Sequence, residues 1–105
     1  MSINDLVKEE VQRQIDIAIE EMPYEKSRLS TPIAKSRFQY KDISDFLLGF
    51  EYGQISGLGM WYYRNQVEKR RSGATGEEAK QVGDDIDSII FDRLPEIRQA
   101  ILRIF

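Results

Sequence analysis

The sequence predicts an all-α protein: a three-helix bundle with a long, glycine-rich central helix, which dimerises into a larger helical bundle. Three observations predict this class. Apolar residues recur every three or four positions over three long stretches, no useful stretch alternates as a strand does, and proline or glycine separates the stretches. With 105 residues, the chain is expected to form one domain, residues 1–105, around a single core.

The first predicted helix covers residues 3–22. Its apolar positions are spaced as on an amphipathic helix, and either Ser2 or Asn4 is placed to cap its first turn. Pro23 disfavours the α conformation of the residue before it and has no N–H to donate, so the helix is expected to end before Pro23. Residues 23–41 are rich in basic and hydroxyl side chains and are predicted to form an irregular, basic connection.

The second predicted helix covers residues 42–71. It is expected to begin near Asp42 or Ser44 and to end at Ser72 and Gly73. About 30 residues at 1.5 Å each make a helix of roughly 45 Å, whereas a compact chain of this length has a radius of gyration of about 13 Å. We therefore expect either that the helix breaks at its glycines or that the molecule is elongated.

Three glycines, Gly49, Gly53 and Gly57, lie at intervals of four in this helix and therefore share one face. Each glycine in a helix interior costs about 0.5–1 kcal/mol relative to alanine, so we expect a compensating gain from the close packing of a second helix, as in a glycine zipper. A kink, or a gap that contacts a ligand, is the alternative. The predicted interface consists of Gly49, Gly53, Gly57, Phe46, Phe50, Met60 and Trp61.

Residues 46–63 carry a single charge, Glu51, and end in aromatic residues, which raises the alternative of a membrane span. Glu51 and Gln54 fall in the middle of the segment, where each is costly in a bilayer, so we expect a buried helix and no membrane partner. Burial desolvates a carboxylate. We therefore expect Glu51 to form an ion pair with a basic residue of the connection, or else to face water at an edge.

The third stretch opens with Thr75 and Glu78, which are spaced as a capping box. The apolar stripe that follows is the most regular in the chain and predicts a helix over residues 76–93. Pro95 interrupts this stripe, so the third helix is expected to be kinked or broken there. A terminal helix over residues 95–104 then has Pro95 in its first turn.

Composition removes most catalytic chemistry. The chain has no cysteine and no histidine, which excludes disulfides, thiolate nucleophiles, zinc fingers and the commonest general base. We therefore predict a non-enzymatic protein without catalytic residues, metal or cofactor. The polar, acidic N-terminal segment has no basic region leading into an apolar run, so we expect no signal peptide and a cytoplasmic location.

Carboxylates are the remaining catalytic candidates. If Asp84 and Asp87 faced Glu20 and Glu21 across a bundle, their oxygens would suit Mg²⁺ or Mn²⁺, and the protein would be a divalent-metal-dependent helical hydrolase. We favour the alternative that these carboxylates lie on solvated helix faces and pair with neighbours on the same helix.

Two basic segments, residues 26–41 and 64–71, suggest another function. If they lie side by side, their charges are sufficient for phosphate contacts, and the protein would bind nucleic acid. No helix-turn-helix spacing or other DNA-reading motif accompanies them. The candidate contacts are Lys26, Arg28, Lys35, Arg37, Arg64, Lys69, Arg70 and Arg71.

The function that the sequence predicts is that of a non-enzymatic assembly or adaptor module. We expect a homodimer formed through the central helix, with the basic connection in contact with an unidentified protein partner. Nucleic-acid binding and metal-dependent hydrolysis are the alternatives.

Overall fold

The computed structural model describes residues 2–70 and 75–104, which fold into five helices that pack together. The all-α class is confirmed, and the described residues contain no strand. The sequence predicted three helices, whereas the described residues form five. They are α1 (Ile3–Leu29), α2 (Pro32–Phe38), α3 (Ile43–Arg70), α4 (Gly76–Asp92) and α5 (Leu94–Leu102).

Helix α1 begins as predicted, because the Ser2 side chain accepts a hydrogen bond from the N–H of Asp5 at 3.1 Å. The predicted end before Pro23 is wrong, since the helix continues to Leu29. A proline inside a helix costs about 3 kcal/mol. Tertiary contacts beyond the proline offset this cost: Leu29 is buried, and the Lys26 ammonium donates to the carbonyl of Ile104 in the last turn of the chain.

Helix α2 lies where an irregular connection was predicted. The Thr31 side chain accepts from the N–H of Ala34 at 3.1 Å, and Pro32 occupies the first turn, where its missing N–H costs nothing. The helix ends at Gln39, whose φ of 55° is left-handed and whose N–H donates to the carbonyl of Lys35 at 2.8 Å. A Thr-Pro pair is a helix-start signal, which the sequence analysis did not use.

Helix α3 is unbroken at its glycines, so the elongated alternative is the one observed. Its predicted start is confirmed, because Asp42 Oδ1 accepts from the N–H groups of Ser44 and Asp45 at 2.8 and 3.3 Å. Its 28 residues span about 42 Å at 1.5 Å each. The molecule measures 46 × 25 × 19 Å with a radius of gyration of 15.5 Å. The predicted helix end at residues 72–73 lies outside the described residues.

Helices α4 and α5 follow the prediction closely. Thr75 Oγ1 accepts from the N–H of Glu78 at 3.1 Å, so the N-cap is confirmed. The chain leaves the helix at Arg93 and re-enters it at Leu94, with Pro95 in the first turn of α5. The break at Pro95 is therefore confirmed.

Helices α4 and α5 run along α1 in the same direction. Near the start of α1, Asn4 Nδ2 donates to Asp85 Oδ2 at 3.1 Å, and further along, Arg93 donates to Asp16 Oδ1 at 2.7 Å. The contacting residue numbers therefore increase together on α1 and on α4, which means that the two helices are parallel.

Helix α3 runs antiparallel to α1. The Arg28 guanidinium, at the end of α1, lies 5.7 Å from the ring centroid of Phe50 near the start of α3, and Val11 packs against Gly59 further along. The core lies between α1, α3 and the α4–α5 pair. Its largest fully buried side chains are Val7, Val11, Ile15, Met22, Leu47, Ile55, Ile86, Ile90, Ile97 and Ile101.

Candidate interaction surface

The three glycines of the predicted interface lie on the solvent side of α3. Gly49, Gly53 and Gly57 are exposed, and a Cβ built on any of them meets no atom of the described residues within 4 Å. The core side of the same helix carries Leu47 and Ile55, both buried. The glycine stripe is therefore not used for packing between the described helices of one chain.

Apolar side chains border this stripe, and we call the exposed strip of Gly49, Gly53, Gly57, Leu58 and Trp61 the glycine face. Trp61 is 63% exposed and Leu58 is 37% exposed. A contiguous patch of exposed large apolar side chains is typical of an interaction site.

The remaining predicted interface residues, Phe46, Phe50 and Met60, are half-buried and already have partners in the chain. The ring of Phe46 stacks on Tyr40 at 4.8 Å and lies 6.1 Å from Phe50. The structure therefore separates the predicted set into the exposed glycines with Trp61 and three side chains that also support the monomer.

Gly59, in contrast to these three glycines, packs closely within the chain, and the sequence analysis did not single it out. A Cβ on Gly59 would lie 3.0 Å from both Ile86 Cδ1 and Val11 Cγ2. The spacing contained a signal for this, because Gly59 lies four residues after Ile55 and four before Tyr63, both of which are buried. Gly59 therefore lies on the side of α3 that faces the core.

Glu51 lies on the same side of α3 and is buried, with 2% of its surface exposed. The predicted ion pair does not form within the described residues. Arg28, whose positive charge acts on Glu51, pairs instead with Glu25 at 2.7 Å, and Glu51 Oε1 has no hydrogen-bond partner among the described residues. Burial raises the pKa of Glu51 to about 7. This value includes a smaller rise caused by the negative charges of Glu25 and Glu21, and the opposing effect of Arg28.

The structure does not bring the two basic segments together. Lys35 and Arg37 lie on α2, before the start of α3, whereas Arg64 lies 21 residues after Ile43 and is therefore about 31 Å along the helix. Lys69 and Arg70 are further still, and Arg71 lies outside the described residues. Nucleic-acid binding would then depend on one segment at a time.

The acidic candidates are also apart. Asp87 accepts a hydrogen bond from the Tyr52 hydroxyl at 2.7 Å, and Asp85 lies beside Asn4. Since α4 runs parallel to α1, Glu20 lies 16 residues beyond this point, or about 24 Å. Within residues 2–70 and 75–104, no three acidic side chains are placed to hold a metal ion.

Comparison with protein-family models, with curated proteins and with solved structures found no match to this chain. In the part of the chain that the structure describes, each helix is too short or too polar to cross a bilayer.

Proposed function

We propose that the protein is a non-enzymatic helical assembly module that forms a homodimer through the glycine face of α3. The observation that carries this proposal is the exposure of Gly49, Gly53 and Gly57 beside Trp61. Glycines in a helix interior weaken the helix, and the described part of the chain supplies no contact that would offset this cost. A second helix packed on this face supplies it.

A second copy of the same chain is the favoured partner because the residues that flank the glycine face on α3 carry opposite charges at its two ends. Asp42 lies eleven residues before Gly53, and Arg64 lies eleven residues after it. If two copies of α3 cross antiparallel at Gly53, Arg64 of one copy faces Asp42 of the other, and the helix dipoles are also opposed. A parallel pairing would instead place like charges opposite each other.

Cysteine cross-linking tests the proposal directly, because the chain has no cysteine of its own. Under mild oxidation, Gly53→Cys should form a disulfide-linked dimer, since the two Cα atoms at the crossing point lie within disulfide range. Ser88→Cys, an exposed position on α4, serves as the control for random collision. A Gly53→Cys yield no greater than that of the control contradicts the proposed interface.

The same method determines the direction of pairing. In the antiparallel arrangement, position 49 of one copy faces position 57 of the other. Gly49→Cys mixed with Gly57→Cys should then cross-link, whereas each variant alone should not. Cross-linking of the single variants without the mixed product would contradict the antiparallel arrangement and favour a parallel dimer.

A further inference from the structure

A small cavity between α1 and α3 contains the buried carboxylate of Glu51. Its volume is about 70 Å³, and it is lined by four apolar residues and by five polar ones, Gln14, Glu21, Glu25, Glu51 and Gln54. Glu21 and Gln54 are exposed, so the cavity reaches solvent on their side. Glu51 itself belongs to the buried side of α3, and the cavity shares one lining residue, Leu58, with the glycine face.

The cavity has more negative charge than the described residues neutralise. Three carboxylates line it, and the neighbouring cation, Arg28, donates to Glu25 at 2.7 Å and lies over the ring of Phe50. Glu51 Oε1 is fully buried without a donor from the described residues. A buried acceptor of this kind is costly unless it is protonated or a donor reaches it.

The lining favours an organic cation over a metal ion. The three carboxylates do not form a metal-ligand group in the described structure. The amide side chains of Gln14 and Gln54 add acceptors around the opening, and the apolar walls suit methylene groups. A volume of about 70 Å³ is sufficient for one charged head group and too small for a drug-sized ligand.

We propose that this cavity binds the head group of an organic cation with N–H donors, an alkylammonium or a guanidinium, with the Glu51 carboxylate as the central acceptor. Glu21 and Glu25 add negative charge at the rim, and the apolar walls contact the methylene groups that follow the head group. The same chemistry is available from a free amine and from a lysine or arginine side chain of a protein.

The test uses butylammonium as the probe, in phosphate buffer at pH 8. This pH lies above the pKa of Glu51, which is raised to about 7, so most of the Glu51 carboxylate is ionised. Amine buffers are avoided because they are themselves ligands of this class. Amide resonances of residues that line the cavity are followed by NMR during the titration. Saturable shifts centred on Glu51, Gln54 and Gln14 are the expected result.

Three controls make the test specific. Glu51→Gln keeps the shape of the side chain and removes its charge, and it should weaken binding by about tenfold or more, the value of a hydrogen bond to a charged group. Glu20→Gln removes the same charge from an exposed position on α1 outside the cavity, and it should change binding by less than about twofold. Butyltrimethylammonium has the same charge and chain without N–H donors, and it should not saturate.

Absence of saturable shifts up to the highest probe concentration at which the protein stays folded would overturn the proposal, as would unchanged binding by Glu51→Gln. Equal binding of butyltrimethylammonium would reduce the effect to non-specific charge attraction and would also overturn it. If butylammonium saturates, a blocked Ala-Lys-Ala peptide then identifies the source of the cation. Tighter binding of the peptide favours a protein side chain, and weaker binding favours a free amine.

Discussion

Gly53 and Gly59 lie six residues apart on α3 and have opposite surroundings. Gly59 is buried, with Val11 Cγ2 and Ile86 Cδ1 only 3.0 Å from where its Cβ would be. Gly53 is exposed, and apart from its chain neighbours and its own helix backbone no atom of residues 2–70 or 75–104 lies within 4 Å of the corresponding point. One glycine therefore permits close packing inside the chain. The other belongs to a face that is free for contact with a further helix.

This difference predicts opposite effects of the same substitution on the monomer. Gly59→Leu should lower the free energy of unfolding by about 1–3 kcal/mol or more, because the added side chain overpacks the contact with Val11 and Ile86. Gly53→Leu should raise it by up to about 1 kcal/mol, because leucine favours the helix and its Cβ meets no neighbour at this exposed position. Urea unfolding at low protein concentration measures both. Equal destabilisation by the two variants would contradict the described packing of α3.

Glu51 predicts a specific dependence of stability on pH. Its pKa is raised from 4.5 to about 7 in the folded state, so the folded state binds the proton more tightly than the unfolded state does. Below pH 4.5 the residue is protonated in both states and its ionisation has no effect. As pH rises from about 4.5 to 7, the unfolded state ionises first, and the contribution of Glu51 to the unfolding free energy falls by roughly 3 kcal/mol.

Glu51→Gln should therefore gain stability relative to the wild type between pH 5 and pH 8. Urea unfolding of the two proteins across this range, in a buffer without amines, measures the difference at each pH. Parallel curves for the two proteins would show that Glu51 does not titrate in this range and would contradict its burial without a partner.

Arg93 joins α1 to the junction of α4 and α5. Its guanidinium donates to Asp16 Oδ1 at 2.7 Å, to Gln12 Oε1 at 2.9 Å and to both carboxylate oxygens of Glu96. These contacts raise the pKa of Arg93 further above its already high value, chiefly through the bond to Glu96. We expect Arg93→Gln to lower the free energy of unfolding by about 1–2 kcal/mol.

The matched control for Arg93 is Arg98→Gln, which removes the same charge from an exposed position on α5 and should change stability by less than about 0.5 kcal/mol. Thermal unfolding of both variants is the measurement. A loss as large in Arg98→Gln would attribute the effect to net charge instead of to the contacts of Arg93.

Pro23 interrupts the hydrogen bonds of α1 at an exposed position. Pro23→Ala supplies the missing N–H to the carbonyl of Ile19 and should raise the free energy of unfolding by about 1–2 kcal/mol, less than the full cost of a helix proline because the unfolded chain also becomes more flexible. Chemical denaturation measures the gain. A loss of stability would show that α1 requires a bend at this position.

Local signals in the sequence predicted the ends of several helices, because a cap depends on residues within one turn. Ser2, Asp42, Thr75 and Pro95 all act as the sequence analysis expected. The path of α1 through Pro23 could not be predicted in this way. It depends on contacts such as that of Lys26 with Ile104, which is distant in sequence, and local rules contain no information about them.

The candidate site shows the same limit. Spacing placed Gly49, Gly53 and Gly57 on one face, but it did not indicate whether that face is buried in the monomer. The two basic segments were considered as neighbours because charge pattern alone does not reveal that an unbroken α3 separates them. Glu51 was expected to pair with a cation, and the structure instead directs Arg28 to Glu25.

Sedimentation equilibrium of the wild type and of Gly53→Leu, over a concentration series, tests the central claim most directly. We predict that the wild type approaches twice its monomer mass of 12.3 kDa as concentration rises, and that Gly53→Leu remains a monomer while staying folded by circular dichroism. A wild type that stays at the monomer mass at every concentration, or a Gly53→Leu variant that associates equally well, would contradict assembly through the glycine face.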